Sequence, residues 1–176
     1  MIKLVVFDAD KTLWDHHNIS LFEEPLKIIN QNSIEDSKGN KLTLFPSVRE
    51  TLQKLKEMGL YLALVTWNFP EKTQLVLKAL KLDHFFDLVV SHDYPFKFLY
   101  ISEIISRFHE KGINLKPDEI VFIDDRKIHF GNTWLYIGNV VCLEMWGDIN
   151  DHRQIVEKIK TIYNSNEFSE KNYSNA

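Results

Sequence analysis

The sequence predicts an α/β protein with a doubly wound, mostly parallel sheet of about five strands. Short apolar segments alternate with longer segments of helical periodicity, as in helices that cover both faces of a parallel sheet. At 176 residues, the chain has the length of about one domain. We place this domain at 1–163 and expect the polar segment 164–176, which lacks periodicity, to be a frayed tail.

Five short apolar segments are predicted to form the core strands, because their length suits buried strands of a parallel sheet. They are Ile2–Phe7, Tyr61–Thr66, Asp87–Val90, Ile120–Ile123 and Asn139–Leu143. Each lies next to a segment of helical period, which gives the strand-helix alternation of the predicted fold.

Five helices fit between and after these strands. Proline at helix starts and glycine just past helix ends follow the usual capping preference, with Gly59, Gly112 and Gly138 as the terminating residues. The predicted helices are Pro46–Met58, Pro70–Leu80, Phe98–Lys111, Lys127–Tyr136 and Asp151–Tyr163.

The interval between Trp14 and Pro46 breaks the alternation. Within it, two short segments at 33–36 and 41–45 flank Gly39 and Asn40, residue types that adopt the positive φ of a hairpin turn. This pattern predicts a small β-hairpin flap over 33–45, inserted after the first strand.

Composition excludes several classes of protein. Hydrophobic residues make up 44% and charged residues 26%, which excludes a largely disordered chain, and the net charge of −4 gives no general attraction to nucleic acid or anionic membranes. The single cysteine, Cys142, cannot form an internal disulfide, and no apolar stretch approaches the ~18 residues of a membrane span. We therefore expect a cytoplasmic protein with neither nucleic acid nor membrane as a partner.

Polar residues follow the predicted strands, at the sheet edge where ligands bind in open α/β sheets. Several carboxylates at one edge repel each other unless a cation lies among them, and hard oxygen ligands suit Mg²⁺. A lysine and a threonine hydroxyl would bind phosphoryl oxygens there. These strand-end residues are Asp8, Asp10, Thr66, Lys97, Asp124 and Asp125.

The segment from Asp8 to Thr12 resembles the first motif, DxDxT, of the haloacid dehalogenase (HAD) superfamily. Thr66 resembles the second motif, Lys97 the third, and Asp124-Asp125 the acidic fourth. The motifs occur in the family's order, so the resemblance covers roughly residues 1–146. Within the superfamily the chain is most similar to the magnesium-dependent phosphatases, small members without a large cap domain.

This resemblance implies a phosphomonoesterase that uses Mg²⁺. Asp8 would attack phosphorus and form an aspartyl-phosphate, and Asp10 would act as general acid and then general base. The metal ligands would be Asp8, the backbone carbonyl of Asp10, and Asp125. Asp124 and Thr12 would support them, and the implied substrate-binding positions are Ala9, Thr66, Trp67 and Lys97.

Substrate identity stays open between a phosphorylated small molecule and a phosphoprotein. Phosphotyrosine, sugar-phosphate adducts and other accessible phosphate monoesters all fit a site without a large cap. Two residues depart from the family pattern: Trp67 stands where Arg is frequent, and His129 where Asn is frequent. Trp14 and Trp67, beside the motifs, are candidates for an aromatic rim.

Two other functions compete with the phosphatase. A phospho-accepting signalling receiver also combines acidic residues, Thr and Lys on a doubly wound sheet, but its acceptor Asp is expected on a later strand. A catalytically silent interaction domain is disfavoured by the intact motif set. Turnover of p-nitrophenyl phosphate would separate the three.

Overall fold

The protein contains a five-stranded parallel sheet in a computed structural model that describes residues 1–162. Across this sheet the strand order is β6-β5-β1-β7-β8, which confirms the predicted doubly wound arrangement and places β1 at the centre. In chain order the strands are β1 (Leu4–Phe7), β2 (Lys27–Asn30), β3 (Ser33–Glu35), β4 (Lys41–Thr43), β5 (Tyr61–Trp67), β6 (Leu88–His92), β7 (Ile120–Asp124) and β8 (Val141–Glu144).

Helices cover both faces of the parallel sheet. Val5 and Phe7 of β1 belong to the core beneath the first, second and fifth helices, whereas Leu4 and Val6 belong to the core beneath the third and fourth. The side chains of β1 alternate between two cores, so the strand is apolar throughout. The helices are α1 (Val48–Glu57), α2 (Pro70–Ala79), α3 (Lys97–Glu110), α4 (Ile128–Tyr136) and α5 (residues 153–162).

The described part of α5 matches the predicted last helix. Tyr163, its predicted end, and the predicted tail at 164–176 lie outside the described residues. Among residues 1–162, no helix has both the length and the apolar character needed to cross a membrane.

The flap is a three-stranded antiparallel sheet, in the order β2-β3-β4. The predicted hairpin of β3 and β4 is present, but β2 was missed because all four of its side chains are exposed and so lack the alternation of a half-buried strand. Trp14 pairs with Leu44, which joins the flap to the segment after β1.

The turn between β3 and β4 is organised by Asp36. Its carboxylate accepts hydrogen bonds from the backbone N–H groups of Glu23, Lys38 and Asn40 at 2.7 to 3.0 Å, and from the Asn40 side chain at 2.9 Å. Within this turn only Gly39 has a positive φ, of 85°, so the prediction of a second positive φ at Asn40 was wrong.

Asp36→Asn should lower the free energy of unfolding by about 1.5–3 kcal/mol at neutral pH, because the amide keeps the shape but turns one acceptor into a donor. Burial raises the pKa of Asp36, but the hydrogen bonds from Asn40, Glu23 and Lys38 outweigh it and lower the pKa from 3.8 to about 2. The carboxylate's stabilisation is therefore complete above pH 3.8 and is lost as the pH falls towards 2.

Denaturant unfolding of wild type and variant across this pH range measures the effect. The difference between them should shrink with falling pH, and Asp118→Asn, at an exposed position, should change little throughout. A difference that is constant down to pH 2 would contradict the role of the charge.

Candidate active site

The carboxyl ends of β1, β5 and β7 bring the sequence-predicted residues to one edge of the sheet. Phe7 is in register with Ile123 on one side and with Leu64 on the other, and the backbone N–H of Asp8 donates to the carbonyl of Ile123 at 2.9 Å. Asp8 therefore follows the central strand, with Asp124 beside it at the end of β7.

Three carboxylates form one cluster at this edge. Asp8, Asp124 and Asp125 each place one oxygen within 4.8 Å of the others. Burial, followed by the negative charges of Asp8 and Asp124, raises the pKa of Asp125 to about 7. The cluster has the hard oxygen donors and the excess of negative charge that suit Mg²⁺, so these residues fit the metal.

Asp124 and Asp125 differ in their surroundings. Asp124 is fully buried, and its two carboxylate oxygens accept hydrogen bonds from the backbone N–H of Arg126 at 2.9 Å and from Lys97 Nζ at 3.2 Å. Asp125 is only partly buried and lines the cleft in front of the cluster. This difference favours Asp125 as the direct ligand and Asp124 as its support.

Lys97 lies behind the carboxylates. It is the first residue of α3, its side chain is 1% exposed, and its Nζ contacts Asp8, Asp124 and the carbonyl of Val65. Burial lowers the pKa of Lys97, but the charges of Asp8 and Asp124 raise it by more, so the ammonium stays protonated. The predicted substrate-binding lysine is therefore a buried partner of Asp8.

Asp8 has a different partner on each carboxylate oxygen. Oδ1 accepts from Lys97, and Oδ2 accepts from the Thr12 hydroxyl at 3.1 Å. Thr12 is fully buried, so its contact is with Asp8 and not with a ligand. The two contacts hold the plane of the carboxylate at the floor of the cleft.

Asp10 lies beside this floor, held by two side chains that were not predicted as partners. Its Oδ1 accepts from Trp14 Nε1 and its Oδ2 from Asn68 Nδ2, both at 2.8 Å. Burial is the main reason that the pKa of Asp10 is raised, and the charge of Asp8 adds to it. A raised pKa favours a carboxyl that can both donate and accept a proton.

Trp14 is fully buried, so its assignment to an aromatic rim was wrong. Its spacing of four residues from Asp10 was the available signal for the contact. Asn68, which follows Thr66 by two positions just past the end of β5, was assigned no role from the sequence. Asn68 joins several parts of the site, because it donates to Asp10 and Thr66 and accepts from Ser20.

The remaining predicted substrate positions line or adjoin the cleft. Thr66 accepts from Asn68 at 2.7 Å, which leaves its own hydroxyl hydrogen available to a ligand. Trp67 lines the cleft and is 43% exposed. Ala9 is fully buried, so only its backbone is suited to contact a substrate.

The cleft has a volume of about 600 Å³, within the usual range for small-molecule sites. Its lining combines the carboxylates of Asp8, Asp10 and Asp125 with the exposed side chains of Trp67 and Phe69, which we call the apolar wall. Residues from the segment before the flap also line it, among them His17, Asn18, Ser20 and Leu21.

His129, the second departure from the family pattern, is on α4 and is buried. Burial is the main cause that lowers its pKa to about 4, and the positive charges of Lys97 and Arg126 contribute. The imidazole is therefore neutral at physiological pH and adds no charge beside the acidic cluster.

Known phosphatases are among the proteins that this chain resembles. A family model described as Acid Phosphatase matches residues 1–143. The chain is 25% identical over 127 residues to Magnesium-dependent phosphatase 1 of Homo sapiens, covering 71% of this chain and 68% of that protein. It is 29% identical over 124 residues to (S)-2-haloacid dehalogenase 4A of Burkholderia cepacia, covering 65% of this chain and 53% of that relative.

The chain thus spans about half the length of the dehalogenase that it matches. Among solved structures, a HAD-superfamily hydrolase of subfamily IA from Geobacter sulfurreducens PCA has the same fold, with a TM-score of 0.64 at 17% identity. The match covers 89% of this chain and 99% of the other. With the four motifs assembled at one sheet edge and most of the chain matched by the family model, the protein belongs to the acid phosphatase family and has the fold of the HAD superfamily.

Proposed function

We propose that this protein is a Mg²⁺-dependent phosphomonoesterase in which Asp8 is the nucleophile. The observation that carries the proposal is the position of the Asp8 carboxylate. It lies at the floor of a 600 Å³ cleft, oriented by Lys97 and Thr12, within a cluster of three carboxylates and near Asp10. Family membership supports the same reaction class.

Each step uses a side chain of the cleft. An Asp8 oxygen attacks phosphorus, the bond from phosphorus to the leaving oxygen breaks, and Asp10 donates its proton to that oxygen. Water then attacks the phosphorus of the aspartyl-phosphate, Asp10 takes up a proton from that water, and the bond from phosphorus to the Asp8 oxygen breaks. Phosphate leaves, and both side chains return to their starting states.

Asp8, Asp125 and the backbone carbonyl of Asp10 would hold Mg²⁺, with Asp124 in support. When bound, the ion would supply positive charge that offsets the charge on the phosphoryl oxygens. Lys97 adds a fixed positive charge behind Asp8, and the Thr66 hydroxyl donates to a phosphoryl oxygen.

The proposal is tested by hydrolysis of p-nitrophenyl phosphate across a Mg²⁺ titration, with rapid acid quenching to trap the phosphoenzyme. We expect turnover that excess EDTA abolishes, and one phosphoryl group on the peptide that contains Asp8. Full activity in EDTA would contradict the metal requirement. A stable phosphoprotein without turnover would indicate a signalling receiver, and neither product would indicate a silent domain.

Asp10→Asn should slow phosphoryl transfer from alkyl phosphates by about 10²- to 10⁴-fold, because their leaving oxygen needs a proton. Transfer from p-nitrophenyl phosphate should change far less, because nitrophenolate leaves without protonation. Rapid-quench measurement of phosphoenzyme formation separates this step from hydrolysis. Equal losses with both substrates would contradict the general-acid role.

The apolar wall of the cleft favours leaving groups with a flat face, such as the ring of a phosphotyrosine or a sugar. Trp67→Ala should lower kcat/KM for aryl phosphates by about two- to tenfold, since an aromatic contact contributes roughly 0.5–1.5 kcal/mol. A small alkyl phosphate should be affected little. Steady-state kinetics on the two substrate types gives the comparison.

Two variants serve as controls for this prediction. Trp67→Phe keeps a ring and should retain most of the aryl preference, and Trp134→Ala removes a tryptophan that is 52% exposed on α4, outside the residues that line the cleft. If Trp67→Ala lowers kcat/KM equally for aryl and alkyl phosphates, Trp67 does not select the leaving group.

A further inference from the structure

The segment 145–152, which follows β8, contacts the loop that carries Asp8 and Asp10. We call residues 8–14 the catalytic loop. Trp146 Nε1 donates to the carbonyl of Lys11 at 2.6 Å, and His152 Nε2 donates to the carbonyl of Thr12 at 2.7 Å. The match to the family model ends at residue 143, so both donors lie beyond it.

A group of rings supports these two hydrogen bonds. Phe45 makes an edge contact with Trp146, with ring centroids 4.5 Å apart, and His152 lies 5.9 Å from Trp146 and 6.0 Å from Phe45. The backbone N–H of Phe45 donates to the carbonyl of Leu13 at 3.0 Å. Three consecutive carbonyls of the catalytic loop, at residues 11, 12 and 13, therefore accept hydrogen bonds from Trp146 Nε1, His152 Nε2 and the Phe45 backbone N–H.

The same segment is also joined to the acidic pair. Met145 N–H donates to the carbonyl of Asp124 at 2.9 Å, and a tight turn follows in which Asp148 N–H donates to the carbonyl of Glu144 at 2.9 Å. The segment thus connects the end of β7 to the catalytic loop and restrains the loop relative to the carboxylate cluster.

The two residues joined by the Trp146 hydrogen bond, Lys11 and Trp146, both have an unusual backbone conformation. Lys11 has a φ of 60° and Trp146 a φ of 69°, in the left-handed region that side chains other than glycine rarely adopt. Such conformations persist where surrounding contacts determine them, and they concentrate at functional sites. The hydrogen bond joins these two residues directly.

We infer that Trp146 and His152 are positioning residues for the proposed phosphatase reaction, holding the catalytic loop in its reactive geometry. Thr12 supplies the hydroxyl that orients Asp8, and its carbonyl is the atom that His152 holds. Asp10 precedes Lys11, whose carbonyl is held by Trp146. A shift of this loop would misplace the nucleophile and the general acid together, and a displacement of about 1 Å can cost on the order of 10²-fold in rate.

The inference rests on the proposed function, and the test compares variants that remove one donor each. Trp146→Phe keeps a ring against Phe45 but removes the N–H. His152→Leu removes the donor, whereas His152→Gln places an amide N–H where it can replace Nε2. With p-nitrophenyl phosphate and Mg²⁺, we expect kcat to fall about 10- to 100-fold in Trp146→Phe and His152→Leu, with KM changed less than about twofold. His152→Gln should recover most of the loss.

Trp134→Phe is the matched control, because Trp134 Nε1 also donates to a backbone carbonyl, that of Val140 at 3.0 Å, and the ring is 52% exposed against 42% for Trp146. Its kcat should equal that of wild type. Equal kcat values in Trp146→Phe and Trp134→Phe would overturn the inference, as would a lowered melting temperature in the His152 variants with unchanged kcat.

Hydrogen exchange separates this inference from the proposed function. Thr12 and Leu13 donate their backbone N–H groups to the Ala9 carbonyl, at 3.1 and 2.8 Å, within the catalytic loop. Their exchange should be about five- to tenfold faster in Trp146→Phe than in Trp134→Phe, since a hydrogen bond that restrains the loop is lost. Inactive wild type would contradict the proposed function alone, and unchanged exchange would contradict the positioning role alone.

Discussion

Asp8→Asn is expected to lower the turnover of phosphate monoesters by on the order of 10⁴- to 10⁶-fold, the range of losses found when a residue of a catalytic triad is removed. The amide has the shape of the carboxylate, but it is a poor nucleophile and carries no charge for a metal ion. Steady-state kinetics with p-nitrophenyl phosphate and rapid quenching for phosphoenzyme measure the loss. Activity within tenfold of wild type would contradict the assignment of the nucleophile.

The fold should survive this change. Lys97 keeps Asp124 as a partner at 3.2 Å, so no buried ammonium is left unpaired, and the cluster loses one of three mutually repelling carboxylates. Thermal unfolding of Asp8→Asn should therefore resemble that of Asp118→Asn, which lies at an exposed position. Loss of activity together with loss of the folding transition would indicate that Asp8 is needed for structure.

The parallel sheet was predictable because its three central strands, β5, β1 and β7, are buried on both faces and so are mostly apolar. In β1, for example, all four residues are buried, and Asp8 marks its end. Strand β2 shows the converse, because Lys27–Asn30 is exposed and pairs only through its backbone, which leaves no pattern in its side chains.

The carboxylates and Lys97 were predictable as a group because parallel strands end at one edge. The hydrogen bonds and ion pairs among these side chains were not predictable, because they depend on where each side chain points. Asn68 illustrates this: its amide joins Asp10 to Thr66 and Ser20, residues up to 58 positions away, and no local pattern indicates such contacts. Trp146 and His152 lie still farther from the catalytic loop in sequence, at separations of 135 and 140.

Lys97→Met should destabilise the fold more than Asp8→Asn or Asp36→Asn does. The side chain is 1% exposed and supplies the positive charge between Asp8 and Asp124, so its removal leaves buried carboxylates without their cation. Breaking a buried ion pair in this way costs about 3–5 kcal/mol. Turnover should be lost as well, because the fixed charge behind the nucleophile is gone.

The destabilisation caused by Lys97→Met should increase with pH. Burial and mutual repulsion raise the pKa values of Asp8 and Asp125, and the charge of Lys97 partly offsets this. Removing Lys97 therefore raises both folded-state pKa values further above their unfolded values, so the stability that these groups contribute at low pH is lost as the pH rises. The destabilisation should therefore be larger at pH 8 than at pH 5, as measured by denaturant unfolding in EDTA.

Lys56→Met is the matched control, because Lys56 pairs with Asp87 at 2.9 Å but both side chains are about 30% exposed. That surface pair should contribute only about 0–1 kcal/mol. Equal effects of the two substitutions would show that the Lys97 ammonium is not the charge that holds the acidic cluster together.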